Sequence, residues 1–363
     1  MKILQIINNL QTGGAEKLLL ESIPLFNKDE NITMDLAVLN NNDAPFLEQL
    51  KKKNPTKIFI LSKKSPYSPS NILKIIPLLK KYDVVHVHLF PSLYWVALAK
   101  LISFSRTKLI YTEHNTSNRR RDKLLFKIID KLIYSQYSKI ITISDDVDKE
   151  LKKHLKFKDS KFELIQNGVN LNTIKKESGY LKSELAKGIN DNHKILVQVS
   201  SFTAQKDQKT LIKSLDYLDK NVIAVLVGDG PLRSECEELA NKLNLTDRVF
   251  FLGIRMDVPK ILKTADIVVL SSHYEGLSLA SIEGLASGKP FIASDVPGLK
   301  DIVNGAGLLF PDSDYITLAQ QVSSVFKDNF LYSELVNNCL AKSQMYDIKN
   351  TVHKQINLYK WIT

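Results

Sequence analysis

Short apolar runs alternate with longer amphipathic segments from one end of the chain to the other. The runs read as strands at 2–7, 33–39, 57–61, 84–88, 107–113 and 139–143, and again at 194–200, 222–228, 248–252, 266–270 and 290–294. Most are continuously apolar, as expected of parallel strands covered on both faces. The stretches between them carry helical spacing over roughly 10–15 residues. Repeated strand–helix–strand units of this kind predict an α/β fold of two doubly wound parallel sheets, whose strand ends would converge on a shared cleft. Two domains also suit 363 residues, which exceed one ordinary core. A hinge is expected in the polar stretch 170–192, rich in Lys, Glu and Ser.

One strand–helix junction carries the strongest chemical signal. The apolar run 265–270 (A-D-I-V-V-L) leads into E-G-L-S-L-A-S-I-E at 275–283 and then G-L-A-S-G-K-P. Ser278 suits a helix N-cap, Leu279, Ile282 and Leu285 form one apolar face, and Gly288 suits a helix end. Glu275 and Gly276 then fall between a strand's carboxyl end and a helix's amino end. Open α/β sheets bind ligands there, and the free amides suit a phosphate. Glu275 would meet the ligand first, with Glu283 on the helix behind it.

Other strand ends hold weaker signals. Gly13 and Gly14 follow the first strand in T-G-G-A-E, where glycine lets backbone amides approach a ligand. His114 follows the fifth strand, and His86 and His88 end the fourth. Lys206 lies in the loop after the strand at 194–200, where an ammonium can reach a diphosphate through charge-assisted hydrogen bonds. Asp146 and Asp148 have the D-x-D spacing of a metal motif, but they follow Ser144 at a helix start, where the helix dipole favours carboxylates. No metal site is expected.

The composition, 44% hydrophobic and 25% charged, is that of a soluble globular protein. No secretory signal or spanning segment is read, and the two cysteines, Cys236 and Cys339, suit small fillers in a reducing compartment. The charge is unevenly divided. Residues 1–170 hold 28 Lys and Arg against 17 Asp and Glu, whereas the remainder holds 22 of each. Basic residues alternate with apolar ones at 71–82 and 119–134, a pattern suited to an anionic membrane surface. Nucleic acid ranks last as a partner, because no recognised binding motif accompanies the charge.

The run from Ser271 to Val303 resembles the donor-site signature of glycosyltransferase family 4, retaining nucleotide-sugar transferases of the GT-B fold, and further matches extend along nearly the full length. The resemblance implies an acceptor-binding domain at 1–170, a nucleotide-sugar domain at 171–345, and a segment 346–363, with Leu358 and Trp361, crossing back to the first. It places Glu275 on the sugar hydroxyls, Glu283 on the ribose, and Gly276, Leu277 and Ser278 at the donor. Gly14 and Lys206 would meet the donor phosphates. Ser201 stands where the family often has an arginine, leaving one cation where two are common, and Lys209 is a weak substitute. Gly228, in G-D-G-P, and Arg255, in G-I-R-M-D, would border the nucleotide. Asn170 replaces the acid of an inter-domain N-G-V-D turn.

The matching histidine, His114, would contact the donor sugar, making His114, Lys206 and Glu275 the expected catalytic set. Gly13, His88, Glu113, Asn115 and Arg119 would serve the acceptor, with Glu113 alternatively orienting His114. The expected co-substrate is a nucleoside-diphosphate sugar, UDP-linked by preference, with no metal. The acceptor would be a lipid-linked saccharide for a bacterial surface polysaccharide, handled at the cytoplasmic face of the membrane. The rivals are another GT-B enzyme, such as a sugar-nucleotide epimerase or phosphorylase, and a non-catalytic relative that binds donor without turnover.

Overall fold

The computed structural model describes residues 1–40, 44–53, 56–63, 65–115 and 123–363. The chain divides into two compact units, Met1–Gly168 with Ile348–Thr363, and Val169–Asp347.

The first unit is a seven-stranded, wholly parallel sheet. Its strands are β1 (Lys2–Ile7), β2 (Thr33–Val38), β3 (Ile58–Ile60), β4 (Val84–His88), β5 (Lys108–Glu113), β6 (Lys139–Thr142) and β7 (Phe162–Leu164), in the order β3-β2-β1-β4-β5-β6-β7. The central strands are buried on both faces. One face packs Leu4, Ile6, Val85, Val87 and Tyr111 into a single core. The other holds a line of polar residues, since the register pairs Gln5 of β1 with His86 of β4, and His88 follows two residues on.

The second unit repeats the plan with β8 (Lys194–Val199), β9 (Val222–Val227), β10 (Val249–Gly253), β11 (Ile267–Leu270), β12 (Phe291–Ser294) and β13 (Leu308–Phe310), ordered β10-β9-β8-β11-β12-β13. Both sheets are thus doubly wound. Their order reverses between β1 and β4 in the first and between β8 and β11 in the second, the positions at which such sheets open a binding crevice.

The structure differs from the sequence reading in two places. The stretch 170–192 is no free hinge but part of the second unit. It forms helices Leu171–Lys176 and Lys182–Leu185 and buries Leu171, Ile174, Leu185 and Ile189. The edge strands β7 and β13, three residues each, are not among the strands read from the sequence.

The last helix, Ile348–Ile362, belongs to the first unit. It buries Leu358 and Tyr359, and the Tyr359 ring centroid lies 5.9 Å from that of Phe26 and 5.7 Å from that of His86. Thr351 Oγ1 donates to the Gln166 carbonyl at 2.8 Å. Trp361 stays exposed, with the Lys139 ammonium 4.4 Å from its ring centroid.

Candidate functional site

In the second unit the loops after β8 and β11 emerge side by side from neighbouring strands at the point of reversal. The first carries Lys206 at the end of a short 3₁₀ turn, Ala204–Lys206, and the second carries Glu275. Lys206 Nζ lies 2.5 Å from Glu275 Oε1, and Ser272 Oγ donates to the same oxygen at 2.7 Å. Gln205 Nε2 spans to the Tyr274 carbonyl at 2.8 Å. Glu275 is only 6% exposed and Lys206 17%, so this charge pair sits in a largely desolvated setting.

Polar residues that the sequence reading passed over hold this pair in place. Gln198 Nε2 donates to the Lys206 carbonyl at 2.9 Å, and Ser271 Oγ lies 2.7 Å from the Asp207 carbonyl and 3.0 Å from Gln198 Oε1. Gln208 Nε2 donates to the Ser201 carbonyl at 2.9 Å. The turn after β9 then closes on this loop. A Cβ at Gly228, where φ is +134°, would lie 2.1 Å from the Ser200 carbonyl oxygen, and one at Gly230 would lie 2.5 Å from that of Phe202. Glycine is required at both positions by close backbone approach.

The helix after Glu275 runs Leu279–Ala286, with Ser278 Oγ accepting from the Ser281 amide at 3.3 Å. Leu279, Ile282 and Leu285 are buried on it, and Glu283 is buried as well. Leu277 and Ser278 are also buried. Gly288, at φ +77°, follows the helix.

A third glycine supports Glu275 itself. Gly298 has φ +80°, and a Cβ there would lie 2.1 Å from the Glu275 carbonyl oxygen and 2.8 Å from that of Gly276. Both obstacles are backbone, so Gly298→Ala must displace the Glu275 loop. Gly305, at φ +75° with nothing within 4 Å of its absent Cβ, is the matched control for the dihedral cost alone. Gly305→Ala should cost roughly 1–2 kcal/mol. Gly298→Ala should cost more in urea unfolding and weaken nucleotide-sugar binding at least tenfold, an effect that Gly305→Ala should lack. Equal effects would show that the close approach does not matter.

Arg255 is committed to Asp257, with Nε and Nη2 at 2.8 and 2.5 Å from its two oxygens, and Tyr180 donates to Asp257 at 2.6 Å. The Arg255 hydrogen bond, foremost, lowers the Asp257 pKa to about 2. Lys209 is paired with Glu235 at 2.6 Å rather than standing in for the cation that Ser201 replaces. Asp207, His273 and Asp312 bring potential metal-ligand atoms within 4.8 Å of one another. Their hydrogen bonds are internal to the fold: His273 Nδ1 lies 2.8 Å from Asp312 Oδ1, and Thr210 Oγ1 donates to Asp207 at 2.6 Å.

In the first unit, the end of β4 and the loop after β5 bring His88 and His114 together, His88 Nδ1 lying 3.0 Å from His114 Nε2. His88 Nε2 lies 2.8 Å from Gln5 Oε1. His86 bonds Thr112 Oγ1 at 2.7 Å and the Tyr359 hydroxyl at 2.6 Å. Burial lowers the His114 pKa to about 4 and that of His86 to about 3. Glu113 is buried, accepting from the Asn115 amide at 3.1 Å and the Tyr134 hydroxyl at 2.9 Å, so it shapes the loop that carries His114. Gly13, extended at φ −80°, precedes the helix Gly14–Phe26. Glu16 folds back so closely that a Cβ at Gly13 would lie 2.2 Å from its Oε2. Arg119 lies outside the described residues. Asp146 lies in the first turn of the helix Asp145–Leu155, which Ser144 caps, and Asp148 accepts from Thr142 Oγ1 and pairs with Lys152.

Gln5 and Gln198 had a legible signal. Each is a lone amide inside an apolar central strand, and a buried amide needs partners. Gly298 and Tyr359 had none, because their roles depend on partners distant in sequence.

Two family profiles match the chain, one described as "Glycosyltransferase Family 4" over residues 12–173 and one as "Glycosyl transferases group 1" over residues 182–342. The UDP-Gal:alpha-D-GlcNAc-diphosphoundecaprenol alpha-1,3-galactosyltransferase of Escherichia coli is 27% identical over 80% of this chain and 78% of its own length. The N-acetyl-alpha-D-glucosaminyl L-malate synthase of Bacillus anthracis is 27% identical over 73% and 70%. Among solved structures, HepE of Anabaena in complex with UDP and glucose superposes with a TM-score of 0.85 at 23% identity, covering all of both chains.

Proposed function

We propose that this chain, which belongs to glycosyltransferase family 4 and has the GT-B fold, moves a sugar from a UDP-linked donor to a lipid-linked saccharide with retention of configuration. The observation that carries this reading is the Lys206–Glu275 pair at the topological switch point of the second sheet. A cation and a carboxylate side by side suit the two ends of a sugar diphosphate. Lys206 takes the diphosphate, and Glu275 accepts hydrogen bonds from the sugar hydroxyls. The amides of Gly276–Ser278 add donors beside the phosphate, Glu283 holds the ribose, and the turns at Gly228 and Arg255 border the nucleotide. His114 is assigned to a sugar hydroxyl and Gly14 to a phosphate, with Gly13, His88, Glu113, Asn115 and Arg119 serving the acceptor side.

In this reaction the acceptor hydroxyl oxygen bonds to the sugar's anomeric carbon on the face that the diphosphate leaves. The bond from that carbon to the phosphate oxygen breaks with its electron pair going to the diphosphate. The acceptor's proton passes to the departing phosphate oxygen. Lys206 and the amides stabilise the charge that develops there, which accelerates the step because the charge is greatest in the transition state.

A lipid-linked acceptor is favoured by the relative that acts on a diphosphoundecaprenol-linked sugar. The relative of equal identity that makes a malate glycoside supplies the control acceptor. The test is incubation with UDP-, GDP- and ADP-sugars and either a polyprenyl-diphosphate saccharide or L-malate, with the product's anomeric configuration read by NMR. Transfer to the lipid-linked saccharide with an unchanged anomer is expected. Donor epimerisation without acceptor, or inversion, would contradict the proposal.

A surface of the first unit supports a place at the membrane. The helix Leu124–Ser135 exposes Leu125, Ile128 and Leu132 as one stripe, flanked by exposed Lys127 and Lys131. Among the described residues no helix is long and apolar enough to cross a membrane. A lysine-edged aliphatic stripe instead suits the surface of an anionic bilayer, where each cation is worth about 1 kcal/mol. Charge reversal of Lys127 and Lys131 should therefore lower flotation with anionic vesicles more than tenfold at low salt. Wild-type protein that ignores such vesicles would remove the membrane from the account.

A further inference from the structure

Buried hydrogen bonds in the first unit form one line from the sulfur of Met34 to the ring of His114. We propose that this line fixes His114 with Nε2 protonated and Nδ1 bare, so that the ligand group it receives is a hydroxyl and not a phosphate oxygen. The inference deepens the assignment of His114 to the donor sugar and rests on it.

The line starts at Gln5, which is buried in β1 with both ends of its amide engaged. Nε2 lies 3.3 Å from Met34 Sδ and 3.3 Å from the Tyr359 hydroxyl, while Oε1 faces His88 Nε2 at 2.8 Å. A thioether sulfur has lone pairs and no proton, so it selects the NH₂ end of the amide. The amide oxygen then faces His88 and can only accept, which requires the proton of His88 on Nε2. Burial holds His88 well below its ordinary pKa, so the ring is neutral and Nδ1 is a lone pair. That lone pair lies 3.0 Å from His114 Nε2 and needs a donor. The His114 proton therefore sits on Nε2.

What remains on His114 is Nδ1, an acceptor that no hydrogen bond from the described residues reaches. A phosphate oxygen at neutral pH also brings lone pairs and would be repelled. A sugar hydroxyl brings a proton. The imidazole of His114 therefore reads a hydroxyl, which presents a proton to its bare Nδ1. Gln5 and His88 act as positioning residues, and Tyr359 ties the last helix to the same line through Gln5.

The experiment is long-range ¹H–¹⁵N correlation spectroscopy on ¹⁵N-histidine-labelled protein at neutral pH, with His114→Gln identifying the His114 signals. His114 and His88 should each show a bare Nδ1 and a protonated Nε2. Gln5→Met, which keeps the volume and removes the amide, should shift both His114 nitrogens toward averaged values. A protonated Nδ1 or an imidazolium at His114 in the wild type would overturn the proposal, whether or not the variant folds. Saturating UDP-glucose should shift Nδ1 in the direction of a hydrogen bond accepted, whereas UDP alone should leave it in place. An unmoved Nδ1 in protein saturated with UDP-glucose would overturn the hydroxyl assignment and the placement of His114 at the sugar, while the spectrum without ligand still decides the internal line.

Discussion

Lys206→Ala should lower sugar transfer by about 100- to 1000-fold, the loss expected when a preorganised group facing developing negative charge is removed. No arginine stands at the position of Ser201 to share the load, and Lys209 is held by Glu235. The same substitution should also destabilise the second unit. It leaves the buried Glu275 carboxylate with Ser272 and Gln205 but without its cation, and breaking a buried pair from one side costs several kcal/mol. The two effects separate in the double variant Lys206→Ala, Glu275→Gln. Removing the orphaned charge should restore most of the stability to urea and none of the transfer. Single-variant transfer within a few-fold of wild type would show that Lys206 does not face the leaving group.

Acidification should destabilise the protein through His86 and His114. Burial depresses the pKa of His114 to about 4 and of His86 to about 3, against 6.5 for an unfolded chain. The unfolded state therefore binds more protons between those values. The stability is fully present above pH 6.5 and is lost as pH falls toward pH 4 and then 3. A tenfold difference in proton affinity is worth about 1.4 kcal/mol. Each histidine should therefore cost roughly 2 kcal/mol between pH 7 and pH 5, about 4 kcal/mol together. Glu16 and Asp207 offset part of this, because burial raises their pKa and favours the folded state on acidification. Urea unfolding at pH 7.5 and pH 5 measures the balance, and His86→Gln should flatten the dependence. An unchanged midpoint would show that these rings are not held neutral by burial.

The fold was legible wherever a strand was long enough to be buried on both faces. The apolar runs at β1, β4, β8 and β9 announce parallel sheets without further help, whereas the edge strands β7 and β13 went unread. The stretch 170–192 misled because its lysines and glutamates dominate the composition, while the few apolar residues that tie it down are scattered among them. At the site, the strand-to-helix loop at Glu275 and the lysine at 206 could be read from position alone. Their contact could not, because it depends on β8 lying next to β11, 69 residues apart at the paired side chains. Arg255 shows the limit in the other direction. Its motif suggested a ligand contact, and the pairing of its Nε and Nη2 with an aspartate two residues away was not read.

Nucleotide binding by calorimetry tests the central claim most directly, with UDP and UDP-glucose titrated into wild type, Lys206→Ala and Glu275→Ala. If Lys206 meets the diphosphate and Glu275 the sugar, Lys206→Ala should weaken both ligands, and Glu275→Ala should weaken UDP-glucose while leaving UDP nearly unchanged. Wild-type affinity for both ligands in both variants would contradict the account.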